Sequence, residues 1–176
     1  TIGDIKGIGL EILIQTWKQK KINNFILFSD IKIINKYFKN KYIKKNINII
    51  NIDKKKINYL RNKINIFSYR SNSLEDNTYK SLHYAYDLCK KKLCIGIITL
   101  PIRKDLIKQK IDKNFIGHTE YFQNIDKKKY SNMILYPKNI IISPLTTHIK
   151  LKDISKLISN KKFLYNQIIN LNKTLK

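Results

Sequence analysis

With 176 residues the chain can bury one core or form part of a larger domain, and its apolar runs fall well short of the roughly 18 residues that signal a membrane helix. No signal peptide heads it, so the expectation is a cytoplasmic protein with no membrane partner. The formal charge of +24 would draw a polyanion, but half of the chain is Ile, Lys and Asn, with three Arg, one Ala (Ala85) and no Val, as AT-biased coding produces. Under such a bias Lys fills exposed positions whatever the protein does, and the scarcity of Arg for bidentate contacts argues against a nucleic-acid partner.

Apolar residues at helical spacing and a basic end predict a first helix over 9–21. NNFILFS (23–29) reads as a strand, and Ser29-Asp30 as the cap of a helix running through DIKIINKYFKNKY. Strict alternation makes INIINI (47–52) a strand, and KINIFSY (63–69) is another. The clearest helix is NTYKSLHYAYDLCKKK (77–92), with Leu82, Tyr86 and Cys89 sharing a face. LCIGIITL (93–100) is a nearly continuous apolar run, the pattern of a strand buried on both faces. Pro101 ends it and RKDLIKQK opens a short helix. SNMILY (131–136) and NIIIS (139–143) follow as strands, and two helical stretches run from Lys152 to the end. This alternation predicts a layered α/β/α fold with a mostly parallel sheet, in one domain, whose ligands gather at the C-terminal ends of strands. Cys89 and Cys94, spaced C-x4-C without a second pair, fit neither a zinc knuckle nor a C-x-x-C redox site and are expected to be reduced, buried thiols.

Rare residues are informative in so uniform a chain. The five glycines fall in three segments, TIGDIKGIG, CIGIITLPIRK and FIGHTEYF, where a side chain would clash or φ is positive. The G-x-x-x-G-x-G of the first segment opens a helix whose N–H groups suit an anion; its spacing is not that of a dinucleotide fingerprint, and a tight turn with close helix packing is the plainer explanation. Thr99 stands at a strand end, and Lys104 beyond it either meets a phosphate as a point charge or faces solvent. His118, followed by Thr119, and His148, preceded by Thr146 and Thr147, stand at the edges of predicted elements. An imidazole there can bind a metal, accept a proton or hold an anionic ligand, and it can equally be a satisfied structural residue. His83, in mid-helix, is read as packed or exposed.

In order and spacing, TIGDIKGIGLEI, IITLPIRKDLI, FIGHTEYF, NMILY and TTHIKLKDI resemble the N-terminal half of the 4-hydroxythreonine-4-phosphate dehydrogenase family, over essentially the whole chain. GHTE and TTHIKLKD carry most of the specificity. The resemblance implies a fold like that of isocitrate and isopropylmalate dehydrogenases, here incomplete, in a homodimer with the active site near the subunit interface. It implies that NAD or NADP oxidises a small phosphorylated amino acid, 4-phosphooxy-L-threonine, whose product loses CO2 to give 3-amino-2-oxopropyl phosphate, a precursor of pyridoxine phosphate. A divalent cation (Zn, Mg or Co) is implied as well, to polarise the alcohol oxygen and stabilise the later enolate. Position by position, His118 and Thr119 match substrate-contacting residues, His148 matches the first of three metal-binding histidines, and Asp4 and Lys104 fall in motifs near the site.

The chain also departs from that family. The NPHAGE and YHDQG motifs that would carry the other two metal histidines do not occur in it. Ile5 and Lys6 stand for the usual Pro-Ala, Leu10 for a Pro, and Leu100 and Arg103 for the common Ala or Gly and Asn or His. A catalytic zinc takes three protein ligands, so the chain is expected to act only together with the second half of such an enzyme. The rival reading is a non-catalytic remnant that binds an anion or a partner through its basic surface.

Overall fold

The computed structural model describes residues 1–22, 24–37, 41–50, 52–53, 56–146 and 149–175. They form two compact units, Thr1–Ile116 and Gly117–Lys176, although no Gly-, Pro- or Ser-rich linker marks the join.

In chain order the first unit contains α1 (Gly9–Lys18), β1 (Ile26–Phe28), α2 (Ile31–Tyr37), α3 (Lys41–Lys45), β2 (Ile47–Ile50), β3 (Ile52–Asp53), β4 (Lys56–Ile57), β5 (Ile64–Phe67), α4 (Leu74–Lys90) and α5 (Lys104–Lys110). The main sheet has the order β1-β5-β2 and is parallel throughout, with Phe28 and Ile50 both in register with Phe67. β3 and β4 make a small antiparallel pair of their own. Because side chains alternate across a strand, Leu27, Ile64 and Ile66 enter one core with Trp17 of α1, Ile34 of α2 and Ile43 of α3. Phe28 and Phe67 point the other way, toward Ala85 and Leu88 of α4. Helices therefore cover both faces, the layered α/β/α arrangement that the alternating sequence predicts.

Local chemistry sets the element ends. Lys32 donates its backbone N–H to Asp30 Oδ1 at 2.8 Å, so Asp30 caps α2 as expected. That helix ends at Tyr37 and a separate α3 starts at Lys41; the residues between them lie outside the described set. Ser73 caps α4 by accepting from the Asp76 N–H at 3.0 Å, with Glu75 and Asp76 in the first turn favouring the helix dipole. At the other end Lys92 adopts a left-handed φ of 58°, and the Lys92 and Leu93 N–H groups return to the carbonyls of Cys89 and Leu88. The buried stripe of α4 is Thr78, Ser81, Leu82, Ala85 and Leu88, whereas Tyr86 and Cys89, expected on that face with Leu82, are only half-buried. Cys89 and Cys94 are free thiols, half-buried rather than buried, and burial pushes both thiols up.

Three expected strands are corrected. LCIGIITL belongs to neither sheet: Cys94 and Ile97 pack against Phe28, Ala85 and Leu88, but Ile95 is fully exposed and Ile98 is 75% exposed. An apolar run becomes an interior strand only where a neighbour completes its ladder and a layer covers each face. Among the described residues of this unit one side is covered and the other is bare. In the second unit, 131–136 and 139–143 make a single antiparallel bridge between Leu135 and Ile142, with both N–H···O bonds at 2.8 Å. Met133, Ile134, Tyr136, Ile140 and Ile141 around it are exposed, and a two-stranded pair without a covering layer gains little from extending.

The second unit otherwise consists of α6 (His118–Ile125), α7 (Leu151–Ile158) and α8 (Lys161–Leu175). Asn160 caps α8 through its Oδ1, 3.0 Å from the Phe163 nitrogen. α7 and α8 match the two helical stretches read from the sequence, yet neither buries a residue. Tyr121 on α6 is the one buried side chain among the described residues of this unit.

Candidate functional site

Asp4 and Lys104 lie on two segments that the first unit locks together. The Asp4 N–H donates to the Pro101 carbonyl at 2.7 Å, so TIGD and TLPIRK share a backbone bond across 97 residues of chain. Gly3 makes this approach possible: its φ is +64°, and a Cβ there would stand 2.6 Å from the Pro101 oxygen and 2.7 Å from the Leu100 Cβ. Gly9, the first residue of α1, faces the same pair, with a Cβ 3.0 Å from both Leu100 and Pro101. The sequence reading of these glycines as places of close approach is therefore met at Gly3 and Gly9, and not at Gly96, where a Cβ would meet nothing within 4 Å.

The Asp4 carboxylate accepts from the Lys6 N–H at 3.0 Å, and the Asp4 carbonyl accepts from the Gly7 N–H at 3.0 Å. This turn holds the half-buried Asp4 in place. Lys104 opens α5 with an exposed side chain. Beside it Arg103 donates two hydrogen bonds to Asp105, from Nε at 3.0 Å and Nη2 at 2.6 Å, holding the Asp105 carboxyl below its ordinary value. Asp105 thus occupies the guanidinium, and among the described residues no carboxylate forms an ion pair with the neighbouring Lys104 ammonium. No sequence pattern singles out Thr78. Its hydroxyl donates to the Gly3 carbonyl at 2.7 Å and so fastens the Asp4 loop to α4.

His118 and Thr119 begin α6, behind Gly117, which is its N-cap. The Nε2 of His118 is buried. Thr119, Glu120 and Gln123 line a cavity of about 330 Å³ whose other walls include Ser131, Thr146 and Ile149. Small-molecule sites span roughly 300–1,000 Å³, so the space suits a small ligand. Ser131 donates to Gln123 Oε1 at 2.8 Å, and Gln123 donates to the Lys129 carbonyl at 3.1 Å, which fixes that wall. The cavity thus brings Thr119 of GHTE to the same space as Thr146 and Ile149 of TTHIKL. His148, between those two, lies outside the described residues.

Hydroxyls, a carboxylate and an amide around apolar side chains can orient a polar ligand by hydrogen bonds. They do not make a metal centre. Among the described residues no three His, Cys, Asp or Glu side chains are grouped to hold an ion. Among the described residues the donors around this cavity do not by themselves complete a site for the divalent cation that the resemblance implies.

A family model described as pyridoxal phosphate biosynthetic protein PdxA matches residues 20–176. The chain belongs to the PdxA family. It is 28% identical over 176 residues to 4-hydroxythreonine-4-phosphate dehydrogenase from Sulfurihydrogenibium sp., a match covering 93% of this chain and 53% of that relative. The enzyme of the same name from Helicobacter pylori strain J99 is 29% identical, over 90% of this chain and 52% of its own length. That from Bacteroides thetaiotaomicron is 24% identical, over 100% of this chain and 51% of its own. This PdxA-family chain therefore spans about half the length of the curated relatives it matches. Lys104, His118, Thr119 and His148 all fall inside the family match, and the Asp4 loop is reached by the Bacteroides relative. No described helix of this PdxA-family chain is long and apolar enough to cross a membrane.

Proposed function

We propose that the chain forms part of a 4-hydroxythreonine-4-phosphate dehydrogenase of vitamin B6 biosynthesis, working as a homodimer in the cytoplasm. The observation that carries this reading is the family match over 20–176, together with relatives that bear that enzyme's name along nearly all of this chain. The reaction is oxidation of the secondary alcohol of 4-phosphooxy-L-threonine. Hydride passes from the carbinol carbon to NAD or NADP, the hydroxyl proton is lost, and the 2-amino-3-oxo-4-phosphooxybutanoate formed loses CO2 to leave 3-amino-2-oxopropyl phosphate. His118 and Thr119 contact the substrate, and Thr119 does so from the wall of the cavity. Lys104, exposed at the start of α5, offers a cation to the phosphate, and Asp4 is held on the loop fastened to Pro101. His148 supplies one donor to a divalent cation whose remaining donors this chain does not contain, so turnover needs the rest of the enzyme.

Saturable binding of 4-phosphooxy-L-threonine to the chain, followed by calorimetry, tests the reading. His118→Ala should weaken that binding by roughly tenfold, the value of one hydrogen bond to a charged group. Absence of any binding by the parent chain would count against the assignment. A second reading, a non-catalytic remnant, draws on the net charge of +24. It predicts that inorganic phosphate and the substrate bind equally and that His118→Ala changes neither.

A further inference from the structure

The spacing of Cys89 and Cys94 forms no redox motif, and it is the turn after α4 that brings the two together. Lys92 takes the left-handed conformation there, and the Leu93 N–H donates to the Leu88 carbonyl at 3.0 Å. That bond joins the residues immediately before Cys94 and Cys89. Ala85 stands one helical turn below Cys89 on the same face of α4, and Cys94 packs against the cluster of Phe28, Ala85 and Leu88. Burial raises both thiols, and the neighbouring Cys89 raises Cys94 further, so the two sulfurs lie within each other's field. Both are free and only half-buried.

We propose that Cys89 and Cys94 close a reversible disulfide, a redox-sensitive staple across the end of α4, with a peroxide as the oxidant. The Cys89 thiolate attacks a peroxide oxygen, the O–O bond breaks, and hydroxide leaves and takes a proton to become water, giving a sulfenic acid. The Cys94 sulfur then attacks the sulfenic sulfur, the S–O bond breaks, and a second water leaves with the Cys94 proton. Two electrons pass from the sulfurs to the peroxide, and a thiol reductant returns them by exchange. Cys89 acts first because only burial raises its thiol, which leaves it the larger thiolate fraction. α4 holds the Gly3 carbonyl through Thr78, and the segment after Cys94 leads to Pro101, which holds the Asp4 N–H. The staple therefore ties together the two anchors of the Asp4 loop, and oxidation makes that loop firmer. The proposal rests on the two thiols and not on the activity proposed above.

The test treats the 176-residue chain with hydrogen peroxide, alkylates the remaining thiols and digests the product with trypsin in denaturant. Lys90, Lys91 and Lys92 lie between the cysteines, so trypsin releases 81–90 and 93–103 as separate peptides unless a disulfide joins them. The oxidised monomer should yield the joined pair, and dithiothreitol should separate it. Its thermal midpoint should stand about 4 °C or more above that of the reduced chain. Cys89→Ser and Cys94→Ser should each remove the joined pair and the rise, with circular dichroism like the parent's. Separate peptides carrying sulfinic acid, disulfide-linked dimers in place of the crosslinked monomer, or a midpoint that does not rise would each overturn the proposal. A rise that persists in either serine variant would do so as well. None of these readouts uses turnover, so the proposed activity is judged separately.

Discussion

Residues 1–116 close a parallel sheet between helices on both faces, whereas 117–176 arrange three helices and one β-bridge with Tyr121 as the one buried side chain described there. The two stretches draw on the same Ile-, Lys- and Asn-rich alphabet. The difference lies in what their apolar stripes meet. A sheet covered on both faces buries consecutive residues of its central strand, so Ile64, Asn65 and Ile66 of β5 are all buried, and Leu82 of the covering α4 has no exposed surface. A pair of amphipathic helices covers each member only along the line where they touch, and α7 and α8 stay open elsewhere. Stability in the first unit therefore rests on interior packing, and in the second on caps, turns and whatever covers it.

The sharpest way to break this contrast is to delete side chains at matched positions. Ile66→Ala, on the central strand, should cost about 2–5 kcal/mol in urea unfolding of the first unit. Leu151→Ala, at a position 86% exposed on α7, should change stability by less than about 0.5 kcal/mol. Comparable losses at the two sites would mean that the second unit also has an interior.

Next in size is Gly3→Ala, which introduces a Cβ at a left-handed φ and against the Pro101 oxygen. A loss of about 1–3 kcal/mol is expected, read as a lower midpoint of thermal unfolding. The same change at Gly96, where the added Cβ meets nothing, should leave the midpoint nearly unchanged. Removal of the α4 cap by Ser73→Ala should cost about 1 kcal/mol, and Ser73→Asp should restore most of it. If the alanine variant melts with the parent, the cap contributes less than its geometry implies.

The smallest effect concerns acid. Burial pushes the Asp30 carboxyl up, but hydrogen bonds from the Lys32 and Ser71 N–H groups and the Ser71 hydroxyl outweigh it, and the net value lies below the ordinary 3.8. A depressed carboxylate adds stability that is fully present above the unfolded value and is lost as pH falls through the folded one. Unfolding midpoints of the first unit should therefore drop below about pH 4, and Asp30→Asn should flatten that part of the profile. An unchanged acid slope in Asp30→Asn would assign the loss to other carboxylates.

Much of this was legible in the residues. The alternation at the start of INIINI, the Asp30 cap and the helical spacing of 77–92 are local patterns, and the structure keeps them with boundaries moved by a few residues, while the Ser73 cap emerged only from the structure. The expected approach of backbone at Gly3 and Gly9 was also readable, because a glycine in so biased a chain marks a place where a side chain does not fit. The site was legible only in part. GHTE and TTHIKL could be named from sequence, but the role of Thr78 could not, because its partner lies 75 residues away.

What the sequence determined alone is therefore most of the helices, the strands β1, β2 and β5, and the class of layered fold, since these follow from the periods at which apolar and capping residues recur. Tertiary structure decided which apolar runs are interior. LCIGIITL and INIF are similarly hydrophobic, yet Ile66 is fully buried between two strands while Ile95 is bare beside none. Burial is a property of neighbours, and no residue encodes its neighbours by itself.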